Sequence, residues 1–97
     1  MPHSSAAVVP TAHASRYLQQ LAKHWSHKFE VEFDAARATI PFPNGTVASL
    51  EARPETLIAR IAAPDAETLA RMKMVLAEHL DRFAFREAPL RFDWKEE

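Results

Sequence analysis

In Phe29-Glu30-Val31-Glu32-Phe33-Asp34-Ala35-Ala36-Arg37-Ala38-Thr39-Ile40-Pro41-Phe42-Pro43-Asn44-Gly45-Thr46, apolar and polar residues alternate twice, on either side of an Asp34-Ala35 turn. Alternation with a period of two is what a strand shows when one face is buried and the other is wet. Phe29, Val31 and Phe33 make one apolar row, and Ala38, Ile40 and Phe42 make the next, so the segment reads as two half-buried strands. Asn44-Gly45 is a pair that supplies positive φ to a type I′ hairpin, folding the second strand back onto a third over Thr46 to Ala52, with Leu50 inward. Arg53-Pro54-Glu55 interrupts the pattern. Thr56 to Ala63 then resumes it, with Leu57, Ala59 and Ile61 on one side and Ile58 and Arg60 on the other. The middle of the chain is thus a four-strand meander.

On either side the period changes. From Ala14 to Trp25 the apolar residues Ala14, Tyr17, Leu18, Leu21, Ala22 and Trp25 recur at helical spacing, with Arg16, Gln19, Gln20 and Lys23 opposite. After the meander, Pro64-Asp65 opens a second helix that Asp65 caps, and Leu69, Met72, Leu76, Leu80 and Phe83 mark its buried stripe, with His79 in the same arc. Residues 6–11 read as a weak edge strand closed by Pro10, residues 90–94 as a terminal strand, and residues 1–5 as a flexible lead-in to a single domain over 1–97. The fold class is α+β: an antiparallel sheet of four to five strands in the order β-α-β-β-β-β-α, with both helices on one face. This order resembles the TATA-binding-protein-like topology, a likeness that carries no function.

Composition narrows the chemistry. A chain of 97 residues with 12 Lys and Arg against 13 Asp and Glu lacks the basic surplus of a nucleic-acid-binding domain. Without cysteine there is no disulfide framework, thiolate metal site or cysteine nucleophile. No run approaches the roughly 18 apolar residues of a membrane span, and no cationic, apolar leader opens the chain, so a cytoplasmic protein is expected. The single glycine, Gly45, rules out a glycine-rich phosphate loop or a Gly-x-Ser-x-Gly elbow.

The enrichment is in histidine, five in all, with His13, His24 and His27 on or beside the first helix. His24 and His27 fall about 60° apart on a helical surface, near enough to share a metal ion if helix continues past Trp25. Such an ion needs further ligands, for which Glu30, Glu32 and His79 are the candidates; His24, His27 and Glu30 form the preferred set. Antiparallel helices should place His24 and His79, each late in its helix, at opposite ends of the layer, with the His13 end beside His79. The plain alternative is that His24 and His27 are polar flank residues near a helix terminus and His79 a satisfied, partly buried histidine on an apolar stripe. A homo-oligomer whose sheet faces or helix edges form the interface, and a small enzyme using a histidine pair, also stand open.

Ser15-Arg16-Tyr17-Leu18, Lys23-His24-Trp25-Ser26-His27-Lys28, Ala63-Pro64-Asp65-Ala66-Glu67 and the run from His79 to Glu87 (HLDRFAFRE) resemble the small bacterial family catalogued as domain of unknown function 2218. His24, His27, His79, Arg16, Tyr17, Arg82 and Phe83 match its pattern, whereas Ala22 stands where members often carry a cysteine, which counts against thiolate chemistry there. The resemblance implies a non-enzymatic accessory domain of iron and siderophore metabolism, because some members are joined to siderophore-interacting flavin reductases or encoded beside them. It implies ligand or partner contacts at Arg16, Tyr17, His24, His27, His79 and Arg82, with such a reductase as partner. Iron, zinc and haem remain open as ligands, as does a homodimer.

Overall fold

The chain runs β1 (His3–Pro10), α1 (Ala14–Ser26), β2 (Glu32–Phe33), β3 (Arg37–Pro41), β4 (Val47–Ala52), β5 (Thr56–Ala63), α2 (Ala66–Phe83) and β6 (Lys95–Glu96) in a computed structural model that describes residues 3–87 and 90–96. Neighbouring strands pair antiparallel in one sheet ordered β2-β3-β4-β5-β1-β6, so the described residues contribute six strands rather than four or five. The expected meander is present as β2 to β5. β1 is no weak edge: it pairs along its whole length with β5, from His3 opposite Ala63 to Pro10 opposite Thr56. Residues 3–5 therefore belong to the sheet instead of a flexible lead-in, and Ser5 is buried. Residues 1 and 2 lie outside the described residues.

One face of the sheet is apolar at every second residue. Ala7 and Val9, Ala38 and Ile40, Ala48 and Leu50, and Leu57, Ala59, Ile61 and Ala63 all point into a core shared with Leu18, Leu21 and Ala22 of α1 and with Leu69, Leu76 and Leu80 of α2. Because side chains alternate across a strand, that single row places both helices on the same side, as the sequence pattern requires. Asp65 caps α2 by accepting the Thr68 backbone N–H at 2.7 Å. α1 has no side-chain cap; instead Thr11 Oγ1 accepts the His13 backbone N–H at 3.1 Å.

Three local expectations change. The first meander strand shortens to Glu32–Phe33, because the turn after α1 keeps Lys28 and Phe29 hydrogen-bonded to the Trp25 carbonyl and the chain reaches the sheet late. Phe29 and Val31 still pack on the core, but Phe33, expected inward, is exposed on the edge strand. The β3–β4 connection is not a type I′ turn. The Gly45 N–H donates to the Phe42 carbonyl at 3.2 Å around Pro43 and Asn44, and among the described residues Gly45 alone has positive φ, at 87°. A glycine in that conformation after a tight turn lets the strands rejoin with their natural twist. Finally, the C-terminal strand pairs at Lys95 and Glu96, beside Ala6 and Ser5 on the free edge of β1, whereas residues 90–94, expected as the strand, are not part of one. Leu90 is nonetheless buried, and its N–H donates to Asp81 at 2.9 Å.

Candidate functional site in the helical layer

α1 and α2 meet along a line that the sequence reading placed out of step. Tyr17 meets Glu87, Gln20 and Phe83 line one cleft, and His24 meets both Phe83 and His79, so the helices do run antiparallel. With 18 residues against 13, however, α2 overhangs α1, and its final turns lie beside α1. The expectation that His24 and His79 occupy opposite ends of the layer therefore fails. Their ring centroids are 5.5 Å apart. The His13 end faces Glu87, in the segment after α2.

The two imidazoles sit on an aromatic seam. Trp25, buried, lies 4.9 Å from His79 and 5.0 Å from Phe42, which in turn meets Phe29 at 5.2 Å. Phe83 presents an edge contact to His24 at 6.0 Å. His79 is half-buried, and its Nδ1 lies 2.7 Å from the Val75 carbonyl oxygen. A carbonyl can only accept, so Nδ1 carries the proton and a neutral His79 keeps its lone pair on Nε2. His24 has an exposed edge, but its packed side has lost water. That desolvation, reinforced by the positive or protonatable groups of His79, Lys28, Arg82 and His27, holds its pKa below the ordinary imidazole value.

One turn toward the start of α1 lies a shallow cleft of about 200 Å³, lined by Arg16, Tyr17 and Gln20 from α1 and by Phe83, Phe85 and Arg86 from the end of α2 and the turn beyond. Phe85 is exposed, and the Arg86 guanidinium rests 5.7 Å from its ring centroid. Buried Tyr17 closes the cleft by donating its hydroxyl to Glu87, whose carboxylate also accepts from Thr11 at 3.0 Å. The Tyr17 bond, joined by that from Thr11, keeps Glu87 below the usual carboxylate range against a partial desolvation. Burial, then the neighbouring carboxylate, pushes the Tyr17 phenol up.

Of the residues singled out from the sequence, Arg16 and Tyr17 thus sit at this cleft, and His24, His79 and Arg82 sit around the imidazole pair. His27 follows α1 as its C-terminal cap, and Glu30 lies exposed in the connection to β2. Among the described residues no three His, Cys, Asp or Glu side chains gather to hold a metal, so His24, His27 and Glu30 are not a ready-made centre. Ala22 is fully buried, and a thiol there would belong to the core. Gln20, Arg86 and Glu87 had no role in the pattern reading: two of them follow the last helical residue, and only the overhang of α2 brings them to α1. A larger concavity, of about 270 Å³, lies elsewhere, on the open sheet face between Arg37, Thr39, Ser49, Glu51, Ile58 and Arg60, where Glu51 pairs with Arg53 at 2.7 Å and Arg37 at 3.7 Å. There one partly exposed carboxylate faces three guanidiniums, and surface ion pairs of this kind mark a solvated face.

Among the described residues no helix is long and apolar enough to cross a membrane. No curated protein matches the chain. A solved structure that does, the NMR structure of PA4090 from Pseudomonas aeruginosa, is 38% identical, with a TM-score of 0.80 over 96% of this chain and 95% of that one, and it shares this α+β arrangement of sheet and helices. The model of a bacterial family described as an uncharacterised protein conserved in bacteria, DUF2218, matches residues 6–95. That span runs from the second half of β1 to the start of β6 and takes in every element of the site, and the chain belongs to this family.

Proposed function

We propose that the protein is a non-enzymatic, cytoplasmic accessory domain of iron and siderophore metabolism that holds an anionic metal chelate on its helical layer, with a siderophore-interacting reductase as partner. The observation that carries this reading is the cleft between Arg16 and Arg86. Two guanidiniums beside the aromatic rings of Phe83 and Phe85 suit flat, negatively charged oxygen donors, because guanidinium both stacks on rings and binds such oxygens in pairs. At about 200 Å³ the cleft takes one chelating arm, and the remainder of the ligand lies along Gln20 toward His24 and Arg82. A formal charge of −1 over the whole chain supports the same view, since this cationic edge is local and no nucleic-acid footprint accompanies it. The likeness of strand and helix order to TATA-binding-protein-like folds belongs to the same proposal as topology alone.

Calorimetric titration with ferric citrate and with a ferric tris-catecholate tests it. Binding of either one, weakened about tenfold or more by Arg16→Ala with Arg86→Ala, is expected, since a charge-assisted hydrogen bond contributes about 1.5–3 kcal/mol. Absence of binding, or binding indifferent to both arginines, removes the reading.

The second reading, a homodimer through the outer sheet face, is favoured by Val8, which is 53% exposed opposite Ile58, and by Val47 at 38%. Light scattering decides it. A monomer at high concentration ends it, and a dimer that Val8→Lys dissociates supports it.

A further inference from the structure

His24 and His79 have the separation of two imidazoles on one ion. A ring nitrogen about 2.0–2.1 Å from a metal puts the ring centroid about 3.2 Å from it, so two rings on a tetrahedral ion have centroids about 5.2 Å apart, and two on neighbouring positions of an octahedron about 4.6 Å apart. The observed 5.5 Å exceeds these values by about 0.3 and 0.9 Å, and His24 is the exposed member of the pair. One ring is already held: His79 donates Nδ1–H to the Val75 carbonyl at 2.7 Å, which fixes the ring and leaves Nε2 as its ligating atom, as metal-binding histidines commonly do.

The surroundings determine what kind of metal species fits. No third His, Cys, Asp or Glu joins the pair among the described residues, so the remaining coordination positions belong to something other than these side chains. Arg82 and Lys28 stand close enough to His24 to act on its charge, and both repel a bare dication. A metal arriving inside an anionic oxygen chelate meets neither obstacle: the chelate supplies the missing ligands, and its charge faces the two cations.

We infer that His24 and His79 form a two-imidazole site for a divalent first-row transition metal that is already wrapped by an anionic oxygen-donor chelator and keeps two adjacent coordination positions open. This deepens the chelate-binding reading given above and rests on its ligand class, but it uses different residues. Exchange of two metal-bound waters for two imidazole nitrogens is the whole reaction, with no change of oxidation state.

Ni²⁺–nitrilotriacetate is the matching probe, since it is an anion with two adjacent positions occupied by water. Untagged full-length protein should be retained on the immobilised complex, and the soluble complex should quench Trp25, whose ring is 4.9 Å from His79. His24→Gln and His79→Gln should each weaken binding about tenfold or more, a loss of the size that altered metal-site partners produce, whereas His13→Gln and His27→Gln leave it unchanged. Far-ultraviolet circular dichroism establishes that His79→Gln folds; His24→Gln, altered at an exposed position, serves as the independent variant. Arg82→Gln should weaken the anionic complex and strengthen bare Ni²⁺. No retention of the wild type, or His24→Gln within about threefold of it, overturns the site, and a change of the same sign for both nickel species upon Arg82→Gln overturns the anionic co-ligand. Failure here with ferric-chelate binding intact, still dependent on Arg16 and Arg86, separates this inference from the one on which it rests.

Discussion

Tyr17, on the buried face of α1, donates its hydroxyl to Glu87, four residues past the end of α2, and that bond ties the last described turn of the helical layer to its first. Glu87→Ala leaves the Tyr17 and Thr11 hydroxyls without their acceptor. Because Glu87 is itself exposed, water partly replaces it, and the loss of stability on urea unfolding should be about 1 kcal/mol. The same pair predicts two pH limits. Glu87 has a folded pKa below its unfolded value near 4.5, so its contribution is present above that pH and is lost as pH falls below it; Tyr17, raised above 10.0, contributes below that value and loses its contribution as pH rises past it. Glu87→Gln should flatten the acid limb of a stability-against-pH curve.

His24 bears on the range between those limits. Its folded pKa lies below 6.5, chiefly through desolvation and then through His79, so the folded state binds fewer protons than the unfolded chain. Stability is therefore full above about pH 6.5 and declines as pH falls through the imidazole range. Titration of the imidazole NMR signals should place His24 below the ordinary value, and His79→Gln should move it partway back.

The core sets the largest mutational effects. Leu80 is fully buried where α2 meets the sheet and α1, and Leu80→Ala should cost about 2–5 kcal/mol through lost burial and the cavity that remains. Met74, on the same helix but 64% exposed, should tolerate alanine within about 0.5 kcal/mol. Thermal denaturation of the two variants side by side checks the face of α2 directly.

Two local devices are predicted to be worth about 1 kcal/mol each. Asp65→Ala removes the acceptor of the Thr68 N–H at the start of α2. Gly45→Ala places a side chain at φ 87°, where the cost is conformational, since a Cβ there meets only ordinary contacts with Pro64 at 3.8 and 3.9 Å. Additive losses in the double variant are expected if the two act independently.

Much of this fold is legible in one-dimensional periodicity, because burial of one face forces a period of two on β3, β4 and β5 and of about 3.6 on α1 and α2. What escaped is governed by long-range geometry. The pairing of β1 beside β5 and of Lys95 with Ala6 depends on which edges are free once the meander has formed, and no local pattern encodes that. Phe33 keeps a strand-like alternation yet ends exposed, since β2 is only two residues long. For the site, histidine enrichment pointed to His24, and the apolar stripe of α2 contained His79, but their meeting depends on how far α2 overhangs α1. Arg86 and Gln20 were silent for the same reason.

The binding surface is tested most directly by paramagnetic line broadening in an ¹⁵N-labelled sample titrated with ferric citrate. Amide signals of Arg16, Gln20, His24, Phe83 and Phe85 should broaden first and together, while those of Thr39, Ser49 and Ile58 on the open sheet face stay sharp. Broadening centred on the sheet face, or none at ligand concentrations in the millimolar range, would contradict a ligand site in the helical layer.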